Sequence, residues 1–167
     1  MEDPPASQNI YYAHPPDIKV EDHSGFVLEG GSIESDGNGT ILTTSHCLMA
    51  QNRNQPLNRK QIEDYVCKSL GAKRLLWLDF GWLEGDDTDG HIDTLARFCD
   101  ENTIAYVKCE DKEDKHFYDL GDMEEELKNL KNSEGKPYKL VPLPMAEAMY
   151  DPGGHRLPAT YANFLII

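Results

Sequence analysis

Apolar residues along this chain fall into short runs broken by glycines and acidic turns, and two longer stretches carry them at helical spacing. Phe26-Val27-Leu28 predicts a short buried strand after Gly25. Ser32 to Ser35 and Thr40 to Thr44, around Asp36-Gly37-Asn38-Gly39, predict a β-hairpin whose glycines permit positive φ. Asn58 is placed to cap a helix to about Leu70, with Ile62, Val66 and Leu70 on one face and Gly71 as its stop. Arg74 to Leu78 reads as a strand. The order then starts again. Leu95 to Cys99 and Thr103 to Lys108 form a second hairpin, Asp114 to Asn132 a second helix, and Tyr138 to Leu143 a second closing strand. A third round opens at Tyr161 to Ile167.

The landmarks recur at a nearly fixed distance. Ile41-Leu42 matches Ile104-Ala105 sixty-three residues on, Leu75-Leu76 matches Lys139-Leu140 sixty-four on, and Leu95 to Phe98 matches Tyr161 to Phe164 sixty-six on. A period of that length, with one ββαβ unit per repeat, predicts a propeller-like or repeated α/β assembly. The plainer account is that ββαβ units recur by chance in α/β domains. The expected architecture is α/β with about two and a half units, an incomplete ring with open sheet edges suited to self-association. Residues 1–24, rich in proline and acids, read as an irregular leader with a short strand at Asn9 to Tyr12, and residues 25–167 as the domain.

Composition narrows the function. Of 167 residues, 16 are Lys or Arg and 30 are Asp or Glu, a formal charge of -14. Nucleic acid is excluded as a partner, because that affinity comes from cationic side chains displacing counterions. A cationic substrate suits an acidic chain better. No apolar stretch has membrane-spanning length, and no secretory signal stands at Met1. Cys47, Cys67, Cys99 and Cys109 form no C-x-x-C pair and have no histidines at zinc spacing. Free thiols in a cytoplasmic protein without a metal or cofactor are the expectation.

Chemistry concentrates where the units begin. Glu29-Gly30-Gly31 leads into the first hairpin, and the acidic run Glu84 to Asp93 leads into the second. His91 and Asp93 alternate onto one face of an extended segment and can share a proton or grip a cation. Glu29 adds a carboxylate beside glycines that allow close backbone approach, and Asp87 is a candidate for the rim. A guanidinium, flat and cationic, fits such carboxylates. A structural histidine at His91 is the competing account. Asn52-Arg53-Asn54 reads as a loop brace, Glu124-Glu125-Glu126 as solvated helix charge, and the other five histidines as surface residues. An EF-hand fails, since Gly90 in its turn position would make Gly85 and Ala96 the end ligands; another kind of calcium loop stays open.

Four ordered motifs carry a resemblance. They are Leu28-Glu29-Gly30-Gly31-Ser32-Ile33; Leu42-Thr43-Thr44 with Cys47-Leu48 and Asn52-Arg53-Asn54; Gly85 to Asp93 with Leu95 to Phe98; and Leu157 to Phe164. Over roughly Gly25 to Ile167 the chain resembles the agmatine deiminase family, which belongs with bacterial-type peptidylarginine deiminases in the guanidine-modifying pentein superfamily. The resemblance implies five ββαβ units around a pseudo-fivefold axis, with the site in the central channel. It implies cofactor-free hydrolysis of agmatine to N-carbamoylputrescine and ammonia, in polyamine biosynthesis, through a cysteine nucleophile. The family's catalytic histidine falls on His91, its guanidinium-binding carboxylate on Asp93, and its motif glutamate on Glu29. The family's nucleophile lies beyond the Tyr-Ala-Asn-Phe motif, and its early Trp/Arg-Asp motif has no match here. The chain is therefore expected to be the middle of a deiminase and inactive alone. A peptidylarginine substrate, or a non-catalytic binding and assembly module, are the alternatives.

Overall fold

A computed structural model describes residues 21–164, so the expected leader and its Asn9 to Tyr12 strand lie almost wholly outside the described residues. Two three-stranded sheets of identical topology follow one another. In the first, β1 (Ile33–Ser35) runs antiparallel to β2 (Thr40–Thr44), which pairs in parallel with β3 (Arg74–Leu78). In the second, β4 (Ala96–Asp100) is antiparallel to β5 (Thr103–Lys108), which is parallel to β6 (Lys139–Pro144). The crossovers carry α2 (Arg59–Leu70) and α3 (Phe117–Asn129), and a short helix α1 (Ser45–Leu48) follows β2.

Strand register corrects one landmark. Ile41 pairs with Leu75 and Ile104 with Leu140, so Leu75 corresponds to Leu140, sixty-five residues on, and not to Lys139. Leu75 and Leu76 are both apolar, so hydropathy leaves a slip of one undetected; the hydrogen-bonded ladder sets it.

The local signals account for most boundaries. Asn58 and Gln61 form a reciprocal capping box, and Gly71 closes α2 at φ 66°. Ile62 and Val66 are buried, but Leu70, expected on the same face, is 47% exposed in the last turn. The second helix is shorter than Asp114 to Asn132. Asp114 turns back on the backbone N–H of His116, and Leu130 leaves the helix in an extended conformation. Among the described residues Phe26-Val27-Leu28 joins no ladder. The Asn54 side chain takes the place of a neighbouring strand, accepting from Val27 N at 2.9 Å and donating to Val27 O at 3.1 Å.

Alternation along β2 divides the core. Ile41 packs with Cys47, Leu48, Ile62, Val66 and Leu75 under α2. Leu42, one residue on, faces the other way and joins Leu78, Leu95, Ile104, Leu120 and Met123. That second cluster spans both units and welds them. Glu126 of α3, expected to be solvated, accepts from the N–H groups of Asp79 and Phe80, and Asp119 accepts from Gly81 N. Together they pin the start of the loop that leads to the second unit. The third round is described as far as Phe164. There Ala162 O and Phe164 O accept from Arg97, whose Nε also donates to Glu34 at 2.8 Å.

Candidate functional site

The two units open alike. Gly30–Ser32 and Ile92–Thr94 each make a 3-10 turn ahead of the first strand, with Glu29 and His91 at the capping positions. A hydroxyl closes each turn: Ser32 donates to Glu29 O at 2.6 Å and Thr94 to His91 O at 2.8 Å. Glu29 and His91 therefore hold equivalent places in the repeat, and their side chains meet, with His91 Nε2 3.1 Å from Glu29 Oε2.

Gly31 makes room for that meeting. A Cβ there would stand 2.5 Å from His91 Nδ1 and 2.9 and 3.0 Å from the two Asp93 carboxylate oxygens. The imidazole and the Asp93 carboxylate thus converge over bare backbone. Asn163 donates to Asp93 Oδ2 at 3.1 Å, so the opening of the third round touches the same group.

Arg53 lies beneath Glu29. Its side chain is only 5% exposed. Nε donates to Glu29 Oε2 at 2.9 Å and one Nη to Oε1 at 3.2 Å, while the guanidinium also reaches the Asp89 carboxylate and Thr88 O. This guanidinium is the main reason the Glu29 carboxyl titrates below its ordinary range, against the opposing effect of burial. The 86–90 loop is self-braced. Asp86 accepts from the N–H groups of Thr88 and Gly90, and Asp89 takes a left-handed conformation at φ 60° that turns its carboxylate to Arg53. With its oxygens on those backbone groups, Asp86 acts as a turn former.

Cys47 Sγ is 3.8 Å from Glu29 Oε2, and burial pushes its thiol up to about 12. It stays protonated at neutral pH and is a poor nucleophile. The donor atoms of Glu29, Cys47 and His91 lie within 4.8 Å of one another, close enough for a metal ion. The cation in that space is already Arg53, whose guanidinium occupies both Glu29 carboxylate oxygens.

Of the expected residues, Glu29, His91 and Asp93 are brought together. Asp87 is exposed and makes no side-chain hydrogen bond to the cluster; the acid this loop contributes is Asp89. Arg53 and Asp89 were not singled out as site residues. Both stand inside the motifs quoted above, Arg53 also as part of a loop brace, but nothing local marks either as a site residue because their partners are distant along the chain. His116, expected at the surface, is 1% exposed: Nε2 accepts from Glu84 N and Nδ1 faces Asp114. His23, His46 and His155 are exposed, and His14 lies outside the described residues. Two concave spaces, of about 540 and 650 Å³, open beside Arg156 and Asp114, and His91 lines neither.

Repeated ββαβ units with a histidine and carboxylates gathered where the units begin define a deiminase-like α/β protein. The chain belongs to the Porphyromonas-type peptidyl-arginine deiminase family, which it matches over residues 3–167. A crystal structure provisionally described as an arginine deiminase from Porphyromonas gingivalis is 63% identical, with TM-score 0.82, over 85% of this chain and 42% of that one. A cysteine-to-serine variant of the C. jejuni agmatine deiminase with substrate bound is 50% identical, with TM-score 0.78, over 85% of this chain and 40% of that one. A protein of Legionella pneumophila (strain Paris), provisionally named an agmatine deiminase, is 41% identical over 142 residues. The chain spans about 40% of the length of these curated relatives. The fold is an incomplete pentein. Among the described residues no helix is long and apolar enough to cross a membrane.

Proposed function

We propose that this chain is part of a cofactor-free agmatine deiminase-type hydrolase, with His91 as proton carrier and Asp93 as the carboxylate that grips the substrate guanidinium. The observation that carries this reading is the convergence of His91 Nδ1 and Asp93 over Gly31. The negative charge of the chain favours a small cation such as agmatine.

In the reaction a cysteine thiolate bonds to the central guanidinium carbon. A C–N bond breaks, and ammonia leaves with a proton from His91. Water then adds to that carbon and returns a proton to His91; the new hydroxyl gives its proton to solvent or to the released ammonia as the C–S bond breaks, leaving N-carbamoylputrescine and free thiolate. Cys47 is unsuited to the attack. Cys67 and Cys109 also have thiols pushed up by burial, and the exposed Cys99 lies on β4 beside Glu34 and Asp100, outside the Glu29–His91 cluster. The nucleophile therefore comes from another part of the whole protein, and this chain alone is inactive.

Ammonia release with agmatine tests the proposal. Negligible release is expected from the 167 residues, and substantial release from a version extended through a cysteine-bearing segment, with the latter abolished by His91→Gln. Full activity in the short chain overturns the reading that the nucleophile lies elsewhere, and no release from the extended version overturns the deiminase reading. The description of the matched family supports arginine within peptides as a second substrate reading. Parallel assays on agmatine and an arginine peptide with the extended version separate the two.

A further inference from the structure

We infer that Arg53 is a positioning residue for the Glu29–His91 pair: an internal guanidinium that occupies Glu29 and holds it against the imidazole. The inference rests on the deiminase reading and reassigns one of its expected substrate carboxylates.

A carboxylate grips a guanidinium best through two parallel N–H···O bonds, one to each oxygen. On Glu29 both oxygens are already used that way by Arg53, at 2.9 and 3.2 Å. The oxygen nearer the imidazole also faces His91 Nε2 at 3.1 Å. A second guanidinium could take that same two-bond position on Glu29 only by expelling the first. Arg53 is held in turn by Asp89 and Thr88 O, and its near-complete burial makes expulsion costly. Among the described residues Asp93 has no cation on it, and its side-chain hydrogen bond comes from the neutral amide of Asn163. The charged or titratable groups around His91 are Glu29, Cys47, Asp89, Asp93 and, through Glu29, Arg53. Only one of them is a fixed cation, and it lies on the carboxylate that faces Nε2. Arg53 is thus a positioning residue. It fixes the Glu29 carboxylate against the imidazole, and through Thr88 and Asp89 it ties down the loop from which His91 emerges.

The test uses the 167-residue chain with carbon-labelled Asp and Glu carboxyls and nitrogen-labelled arginine, followed by NMR as agmatine is added. The Asp93 carboxyl carbon is expected to move, while the Glu29 carbon and the Arg53 Nε–H signal stay. In Arg53→Gln, Glu29 is freed and responds as well. Arg53→Lys, which keeps the charge without the fork, restores the silence of Glu29 in part and serves where the glutamine variant does not fold. Movement of Glu29 with loss of the Arg53 signal in the unaltered chain overturns the inference. If agmatine moves neither carboxylate, the deiminase reading fails. The filling of Glu29 by Arg53 is then decided by titration without ligand. Glu29 is expected below the ordinary carboxylate range in the unaltered chain and back within it in Arg53→Gln; an ordinary Glu29 in the unaltered chain overturns it.

Discussion

Glu29 and His91, sixty-two residues apart, each open the 3-10 turn of their own unit, and their side chains meet at 3.1 Å. An internal repeat thus places two different residues at equivalent positions and lets the near-symmetry bring them into contact. Neither unit alone contains the pair.

The meeting depends on Gly31. Gly31→Ala sets a methyl group where His91 Nδ1 and Asp93 now lie. One or both side chains must move, at a cost of about 1–3 kcal/mol. Calorimetric titration with agmatine is expected to show at least tenfold weaker binding, and chemical denaturation a lower midpoint. Unchanged binding means that the two side chains do not act at that point.

Asn54 stands in for a missing strand beside Val27 and also donates to Leu48 O at 3.2 Å. Asn54→Ala leaves the Val27 amide without its partner and is expected to destabilise the protein by about 1–3 kcal/mol in urea unfolding. Because Val27 leads directly to Glu29, hydrogen exchange at residues 27–31 should quicken as well.

Cysteine reactivity should follow burial. Cys47 is fully buried with its thiol pushed up to about 12, whereas Cys99 is exposed. Mass spectrometry after brief iodoacetamide treatment near neutral pH is expected to find Cys99 modified and Cys47 untouched. Rapid modification of Cys47 in folded protein contradicts the burial argument.

Asp114 controls part of the acid stability. Burial opposes its ionisation, but hydrogen bonds from Arg156 and from the backbone and ring of His116 outweigh that and hold it well below the ordinary carboxylate range. A value lower in the folded than in the unfolded chain stabilises the fold above the unfolded pKa of about 3.9, and the stabilisation fades as pH falls through the folded value. The Asp114 and Arg156 side chains are 15% and 9% exposed, so Asp114→Asn is expected to cost about 3 kcal/mol near neutrality. Unfolding measured from pH 7 to about 2 should show the gap between variant and parent closing on the acid side. A constant gap excludes the ion pair as its source.

Two edges of the fold show how far local sequence reaches. The Asn58 cap, the Gly71 stop and both hairpin turns were legible because each depends on neighbours a few residues away. The length of the second helix was not. Its start is governed by Asp114 and His116, and His116 is held by the distant N–H of Glu84. Leu70 continued the apolar stripe on paper, but α2 runs past the core before reaching it.

The order of strands and helices, the repeat, and the concentration of acids with His91 at the unit starts came from the chain by itself. Hydrophobic period, caps and turn residues act over short range and leave their mark in the linear text. Tertiary structure decided the one-residue strand register, the burial of His116, and above all the partners of Glu29. Those turn on which groups lose water together. Arg53 reads as part of a loop brace until the fold sets two carboxylates, twenty-four and thirty-six residues away, around its guanidinium.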